Sequence, residues 1–246
     1  MSVRSFAEAR PVAAAVLCAA AQLVLTLLAL KIGFSLVSPE AAGKVKLVAF
    51  ASTIVLPLLL VQLLGLWHRV GLGWRDVRLT PAFVAGLVVC ALWLSLGAHR
   101  PDGSNLTGDV GMQLVNAFGE ELLFRGVVFA LLVSQARWQA IVLNGVLFGA
   151  MHLIHGYMDG DWGAALHQAF FTMLGGMMFA AVRYSTRSLW LVILLHTALN
   201  LSIIHSNVGP AYESAFEWLA GLGELAIAAW VIRQGRQETV PLPARL

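Results

Sequence analysis

The chain has 246 residues, of which 59% are apolar and only 12% are charged, and its mean hydropathy is +0.79. Soluble domains carry about 25% charged residues, so this chain has too few charges to cover a water-facing surface. The apolar content also excludes a disordered chain, and the two cysteines, both inside apolar runs, exclude a disulfide-built secreted scaffold. The formal charge of +3 comes without a basic cluster, so nucleic acid is not an expected partner. The composition is that of an integral membrane protein surrounded by a lipid bilayer.

Apolar segments follow one another along the whole chain, each close to the roughly 20 residues that a helix needs to cross a bilayer. They cover residues 11–31, 46–67, 82–98, 112–133, 138–156, 165–182, 188–205 and 214–232. The connections between them are short, and we find no internal repeat. We therefore predict an all-α fold, a polytopic membrane helix bundle with about eight transmembrane helices, formed as a single integral membrane domain over residues 1–246.

The distribution of basic residues predicts how this bundle is oriented. With eight spans, the tails and the even-numbered loops lie on one side, and they hold most of the arginines, including Arg69, Arg137 and Arg183. The opposite loops hold few basic residues, among which Lys44 and Lys46 run against the trend. We expect both termini to be cytoplasmic, and the composition suggests a bacterial inner membrane.

The fourth segment contains three ionisable residues, Glu120, Glu121 and Arg125. Each such residue inside a span costs about 2.5–3.5 kcal/mol on insertion scales, so each one suggests a function. Glu121 and Arg125 have the i, i+4 spacing of a helical ion pair, which could be purely structural. Glu120 points about 100° away around the helix and needs another partner or a proton. A carboxylate in a low-dielectric setting is a typical general base.

Two further segments carry polar side chains at helical spacing. The fifth has Phe148 and His152 four residues apart, with His155 near the end of the segment, where we expect an ordinary packed histidine. The seventh has His196 and Asn200, again four apart, for which hydrogen bonding between helices is the alternative interpretation. With the predicted orientation, these groups and Glu120 lie at one depth, which favours a common site.

The three patterns together resemble the motifs of the CPBP family of membrane proteins. The runs EELLFRG, FGAMH and HTALN match its motifs E-E-x-x-x-R, F-x-x-x-H and H-x-x-x-N, in order and on separate apolar segments. The family includes type II CAAX prenyl endopeptidases and bacterial bacteriocin-processing or immunity relatives. The matched stretch predicts a catalytic core at residues 112–205, and the resemblance implies an intramembrane endopeptidase that acts on a membrane protein or peptide.

The resemblance also implies a role for each motif residue. Glu120 and His152 would activate the attacking water, and His196 and Asn200 would stabilise the oxyanion of the tetrahedral intermediate. The other motif residues would support these four: Glu121 and Arg125 would hold the Glu120 helix in register, and Phe148 would shape the substrate pocket.

A catalytic zinc ion is an alternative to this metal-free mechanism. Its ligands would be Glu120, His152 and His196, a set that resembles known zinc sites. However, the sequence has no H-E-x-x-H run, and an asparagine such as Asn200 suits an oxyanion site better than a zinc ion. We expect no cofactor.

The substrate and the class of function leave alternatives open. A site nearer the outer face argues against a cytosolic prenylated peptide and favours cleavage near a C-terminal sorting or processing signal. A non-catalytic peptide-binding or bacteriocin-immunity protein would use the same groove without turnover. A transporter or proton relay would also place Glu and His inside the membrane, although the chain lacks a repeated pattern of broken helices.

Overall fold

The computed structural model describes residues 2–37, 42–74, 77–101 and 105–234, and within these ranges the regular structure is helical. The helices are α1 (Val3–Ala9), α2 (Pro11–Leu36), α3 (Ala42–Leu64), α4 (Pro81–Trp93), α5 (Leu106–Glu121), a π-helix (Leu122–Val128), α6 (Phe129–Leu132), α7 (Arg137–Met151), α8 (Ile154–Asp159), α9 (Trp162–Thr186), α10 (Leu189–Ile204) and α11 (Pro210–Gln234). The predicted single domain over residues 1–246 includes positions that lie outside the described residues, and it stays a prediction.

Every predicted apolar segment overlaps a helix. The helices that are long and apolar enough to cross a membrane are Pro11–Leu36, Arg137–Asp159, Trp162–Thr186 and Pro210–Gln234. The shorter apolar helices are Ala51–Leu64, Pro81–Trp93 and Leu189–Ile204. The predicted polytopic bundle of membrane helices is therefore confirmed, whereas the number of spans and their orientation stay predictions.

Helix α2 presents its large apolar side chains outward and its small ones inward. Leu17 and Val24 are more than half exposed, whereas Ala15 and Ala19 are buried. Small residues allow helices to approach closely inside a membrane bundle, and outward-facing aliphatic side chains suit contact with lipid tails. The exposed apolar surface of this helix is therefore what a membrane environment requires.

The segment that carries the E-E-x-x-x-R motif changes its helical geometry just after the two glutamates. Helix α5 ends at Glu121, and residues Leu122–Val128 continue it as a π-helix before α6 resumes the α-helical form. π-Helical turns inside α-helices are rare and occur frequently at functional sites. This turn is fully buried along its length, so its altered backbone must find hydrogen-bond partners inside the protein.

Two side chains from other helices bind carbonyl groups of this π-helix. Asn144 of α7 donates from Nδ2 to the Phe124 carbonyl at 2.7 Å. Arg183 of α9 donates from Nε to the Arg125 carbonyl at 3.1 Å. The Phe124 carbonyl also accepts from the Phe129 amide, so the Asn144 bond adds a second partner there. The two side-chain donors stabilise the buried π-helix and connect it to α7 and α9.

Helices α7 and α9 pack at very short range because glycines replace side chains in their contact. A Cβ added to Gly149 would collide with the Ala169 carbonyl, and one added to Gly145 would collide with Met177. On the opposite helix, a Cβ on Gly176 would lie 3.0 Å from the Gly145 Cα. Gly176 therefore serves close helix packing, and the contact fixes the end of α7, where the F-x-x-x-H motif lies.

The helix of the fifth predicted segment ends in a shorter hydrogen-bonded turn at His152. The His152 amide donates to the Gly149 carbonyl at 3.0 Å, an i→i−3 bond that ends α7 at Met151 before α8 begins at Ile154. Shorter turns of this kind are common where α-helices end. His152 therefore lies at the junction of α7 and α8, with its ring centroid 6.2 Å from that of His155.

Candidate active site

The H-x-x-x-N histidine lies against the first motif. His196 Nδ1 is 2.8 Å from Glu121 Oε1, and Arg125 Nη1 is 2.9 Å from the same oxygen. Glu121 and Arg125 have no exposed surface, and His196 is 4% exposed. Arg125 also donates from Nη2 to the Gly176 carbonyl at 3.0 Å. The predicted Glu121–Arg125 ion pair is present, and it also binds the imidazole of α10.

Glu120 faces the other nitrogen of the same ring. Its Oε2 lies 3.8 Å from His196 Nε2, and its side chain is 23% exposed, which makes it more accessible than Glu121, Arg125 or His196. The two adjacent glutamates therefore approach opposite nitrogens of one histidine. The contact with His196 explains why Glu120, which is turned away from Arg125, can lie inside an apolar helix bundle.

His152 is held in one tautomer by the backbone of its own helix. Its Nδ1 lies 3.0 Å from the Phe148 carbonyl, and a carbonyl only accepts, so this nitrogen carries the hydrogen. Nε2 of the neutral ring is left with a lone pair. The Phe148 ring lies between this histidine and the third motif, with ring centroids 5.0 Å from His152 and 6.0 Å from His196. An imidazole in this state can accept a proton or a hydrogen bond from a water molecule.

Asn200 points from α10 towards α5, as His196 does. Its Nδ2 donates to Gln113 Oε1 at 2.8 Å. Gln113 precedes Glu120 by seven residues, which places both on nearly the same face of α5. The third motif therefore contacts this face of α5 through both of its polar side chains, at two levels along the helix.

Aromatic rings enclose the buried side of the cluster. Phe148 packs edge-on against His152, with ring centroids 5.0 Å apart, and its ring lies 4.3 Å from the Arg125 guanidinium carbon. Phe179 of α9 stacks on His196 at 4.9 Å. Phe148 is 3% exposed, so it orients the histidine and the arginine, and little of its own surface is available to line a pocket.

Other polar residues of the predicted spans lie apart from this cluster. His155 is 3.7 Å from the exposed Asp159 on α8, in agreement with an ordinary role. Glu217 pairs with His167 at 3.5 Å between α11 and α9. Glu224 is buried on α11, and its carboxylate lies beside Gly175 of α9.

Sequence reasoning did not single out Gln113, Asn144 or Phe179. Gln113 and Asn144 are polar residues within predicted spans, and Gln113 shares a face with Glu120. That spacing was a usable signal for Gln113. Phe179 had no signal, because an aromatic residue in an apolar segment is usually part of the core.

The zinc alternative can be compared with the positions of its expected ligands. Among residues 2–37, 42–74, 77–101 and 105–234, no three His, Cys, Asp or Glu side chains come together closely enough to hold a metal ion. Glu120, His152 and His196 therefore do not form a three-ligand set in this arrangement. We derive no step through a metal.

The helical bundle and its cluster of carboxylates, histidines and asparagine define a membrane protein with the features of an intramembrane hydrolase. Residues 106–202 match the family model described as "Type II CAAX prenyl endopeptidase Rce1-like". This segment is less than half of the chain, and it contains all three motifs. The chain carries a domain of this CAAX endopeptidase family, so the family expected from the motifs is confirmed, and the family indicates an intramembrane protease. A search of curated proteins gave no significant match.

Proposed function

We propose that the protein is an intramembrane endopeptidase that hydrolyses a peptide bond with Glu120 and His152 as the water-activating groups and His196 and Asn200 as the oxyanion site. The observation that carries this proposal is the placement of Glu120 Oε2 3.8 Å from His196 Nε2, while Glu121 binds Nδ1 of the same ring. A base and an oxyanion donor must lie on either side of the reacting carbonyl, within a few ångströms of each other.

Glu120 is the better placed of the two glutamates to act on water. Glu121 is fully buried and already accepts bonds from Arg125 and His196. Glu120 has the partial exposure that a substrate and a water molecule need. In the first step, Glu120 takes one proton of the water and His152 Nε2 accepts a hydrogen bond from the other hydrogen, while the oxygen attacks the carbonyl carbon.

The oxyanion that forms would be held by two donors from α10. Asn200 has a second Nδ2 hydrogen besides the one bonded to Gln113. His196 already uses its Nδ1 hydrogen on Glu121, so it can donate from Nε2 only as an imidazolium ion. Two ionised glutamates and Arg125 alone carry a net charge of −1. A proton on His196 brings this buried cluster to neutrality, which avoids the cost of an unpaired charge in the membrane.

The intermediate then breaks down with the proton that Glu120 has taken up. The bond between carbon and nitrogen breaks, the electron pair stays on the nitrogen, and Glu120 returns its proton to the leaving amine. The products are a carboxylic acid and an amine, and Glu120 is again a carboxylate. The whole sequence consumes one water molecule and needs no oxidant or reductant.

The substrate class follows from the surroundings of the site. A peptide bond within a helix is shielded, so the bound segment must be unwound, and its backbone groups need partners that lipid does not supply. The basic residues predict an outward-facing site. We infer a membrane-associated substrate that is cleaved near a C-terminal sorting or processing signal on the outer side of a bacterial inner membrane.

The test compares new protein C-termini in cells that carry the wild type, Glu120→Gln or His152→Ala. We expect specific C-terminal products with the wild type and their loss in both variants. Glu217→Gln and His167→Ala serve as matched controls, because these two residues form a carboxylate–histidine pair outside the site. Both controls should retain the products.

The outcomes separate the classes of function. Products that persist with Glu120→Gln at equal protein levels would contradict the assigned base. If the wild type yields no products but protects cells against a peptide toxin, and both variants still protect, the protein is a binding or immunity protein. Purified wild type that cleaves an identified substrate would establish the protease directly.

A further inference from the structure

We infer that Gln113 is a positioning residue of this site and that it acts by holding the Asn200 amide in the orientation that the oxyanion needs. This inference rests on the proposed function, because it assigns Gln113 a role through Asn200. Gln113 lies outside the three motifs, and the contact described above is the 2.8 Å hydrogen bond from Asn200 Nδ2 to Gln113 Oε1.

The polarity of this bond decides what Asn200 can do. An asparagine amide has two N–H donors and one acceptor oxygen on a group that can rotate about its side-chain bonds. When one N–H is bound to Gln113, the direction of the second N–H is fixed by the planar geometry of the amide. A donor that is already aligned stabilises an oxyanion without the cost of reorganisation during the reaction.

Neighbouring contacts hold the helices on both sides of this bond. On the side of the motif glutamates, His196 of α10 binds Glu121 of α5 at 2.8 Å. On the other side, His205 Nε2 lies 3.3 Å from Asp109 Oδ2, without the alignment of a hydrogen bond. Because α5 and α10 are in contact at both levels and are hydrogen-bonded through His196, loss of the Gln113 bond is expected to release the amide of Asn200 and not to separate the helices.

The hydrogen bond also lies on the part of α5 that leads to Glu120. Gln113 and Asn200 are both half-buried, so a bound peptide can reach them, and neither is closed off as Glu121 is. A role in structure alone would be met equally well by apolar packing at this helix contact. The use of an amide pair is explained if one member must keep a donor directed at the substrate.

The experiment measures kcat and KM of purified full-length protein on a substrate identified by its new C-terminus. Loss of a whole oxyanion donor lowers kcat by about 10²–10³-fold. A donor that is present but misplaced is expected to cause a smaller loss of kcat. Gln113→Met should therefore lower kcat by about 10–100-fold with little change in KM. Gln22→Met is the matched control, because Gln22 also makes a part-buried amide hydrogen bond between two helices, to Ser52 of α3, and belongs to none of the motifs.

The decisive comparison is the double variant Gln113→Met with Asn200→Ala. If Gln113 acts through Asn200, Gln113→Met causes no further loss of kcat once the asparagine side chain is gone. A general weakening of the structure would lower kcat by the same factor in both backgrounds. Thermal unfolding of each variant identifies samples that are not folded, and Gln113→Leu replaces Gln113→Met if that variant does not purify in folded form.

Each result bears on a different statement. Gln113→Met with wild-type kcat, a loss confined to KM, or an undiminished loss in the Asn200→Ala background overturns the role of Gln113. Asn200→Ala with wild-type kcat overturns the oxyanion role of Asn200 in the proposed function. A strong loss in Asn200→Ala together with an unaffected Gln113→Met rejects the inference about Gln113 alone and leaves the proposed function standing.

Discussion

His196 Nδ1 lies 2.8 Å from Glu121 Oε1, and this contact joins two motifs that are 75 residues apart in the sequence. Because a carboxylate only accepts, His196 Nδ1 carries a hydrogen and donates it to Glu121. The same oxygen accepts from Arg125, which holds the carboxylate in place. The motif pair Glu121–Arg125 therefore holds the His196 ring in position through its Nδ1 hydrogen.

Removal of the Glu121 charge should destabilise the protein strongly. Glu121→Gln keeps the size of the side chain but leaves Arg125 buried without a counter-ion, and breaking a buried pair in this way costs about 3–5 kcal/mol. We expect a large decrease in the unfolding temperature in detergent. The double variant Glu121→Gln with Arg125→Met should recover part of the lost unfolding temperature, because the second substitution removes the uncompensated charge.

The chain provides a matched control for this experiment. Arg4 and Glu8 form an ion pair with the same i, i+4 spacing, at 3.2 Å, but both side chains are at least half exposed. Exposed pairs contribute about 0–1 kcal/mol, so Glu8→Gln should leave the unfolding temperature nearly unchanged. Equal effects of the two glutamine substitutions would contradict the interpretation that burial makes the Glu121 pair important.

The π-helix should depend on the side chain of Asn144. Asn144→Leu removes the side-chain donor to the Phe124 carbonyl, which then keeps only its bond from the Phe129 amide. Loss of one such hydrogen bond costs about 0.5–1.5 kcal/mol. Because the π-helix directly follows Glu120 and Glu121, we also expect lower cleavage activity. Asn207→Leu is the control, since Asn207 donates to the Leu96 carbonyl at an exposed position. The prediction fails if both leucine variants unfold at the wild-type temperature.

The sequence predicted the parts of the site that depend on local spacing. The i, i+4 pairs of Glu121 with Arg125 and of His196 with Asn200 follow from helix geometry alone, and the cost of charge in lipid indicated that Glu120 needed a partner. The pairing of Gln113 with Asn200 and the stacking of Phe179 on His196 depend on how helices distant in sequence pack. The π-helix is also invisible in the sequence, because it is stabilised by donors from Asn144 and Arg183.

Close approach of α7 and α9 should be required to place His152. Gly149→Ala introduces a methyl group where the Ala169 carbonyl already lies, so one helix must move. We expect the free energy of unfolding to fall by about 1–3 kcal/mol, as for other overpacked sites. We also expect lower activity, because His152 follows this contact by one turn.

Gly111→Ala is the control, since a Cβ there meets nothing within 4 Å. That substitution should be neutral or stabilise α5 by about 0.4–1 kcal/mol. Equal activities of the two alanine variants would contradict the role of this contact.

Cleavage by the purified protein should not depend on a zinc ion. In the proposed mechanism Glu120 is the base, and its Oε2 faces His196 Nε2 at 3.8 Å, while His152 is the second group that acts on water. We expect the initial rate to stay the same after incubation with a strong zinc chelator and after dialysis. The Glu120→Gln variant gives the background rate for the same preparation. If the chelator reduces the wild-type rate to this background and added zinc restores it, Glu120, His152 and His196 act as ligands, and the assignment of Glu120 as a free base is wrong.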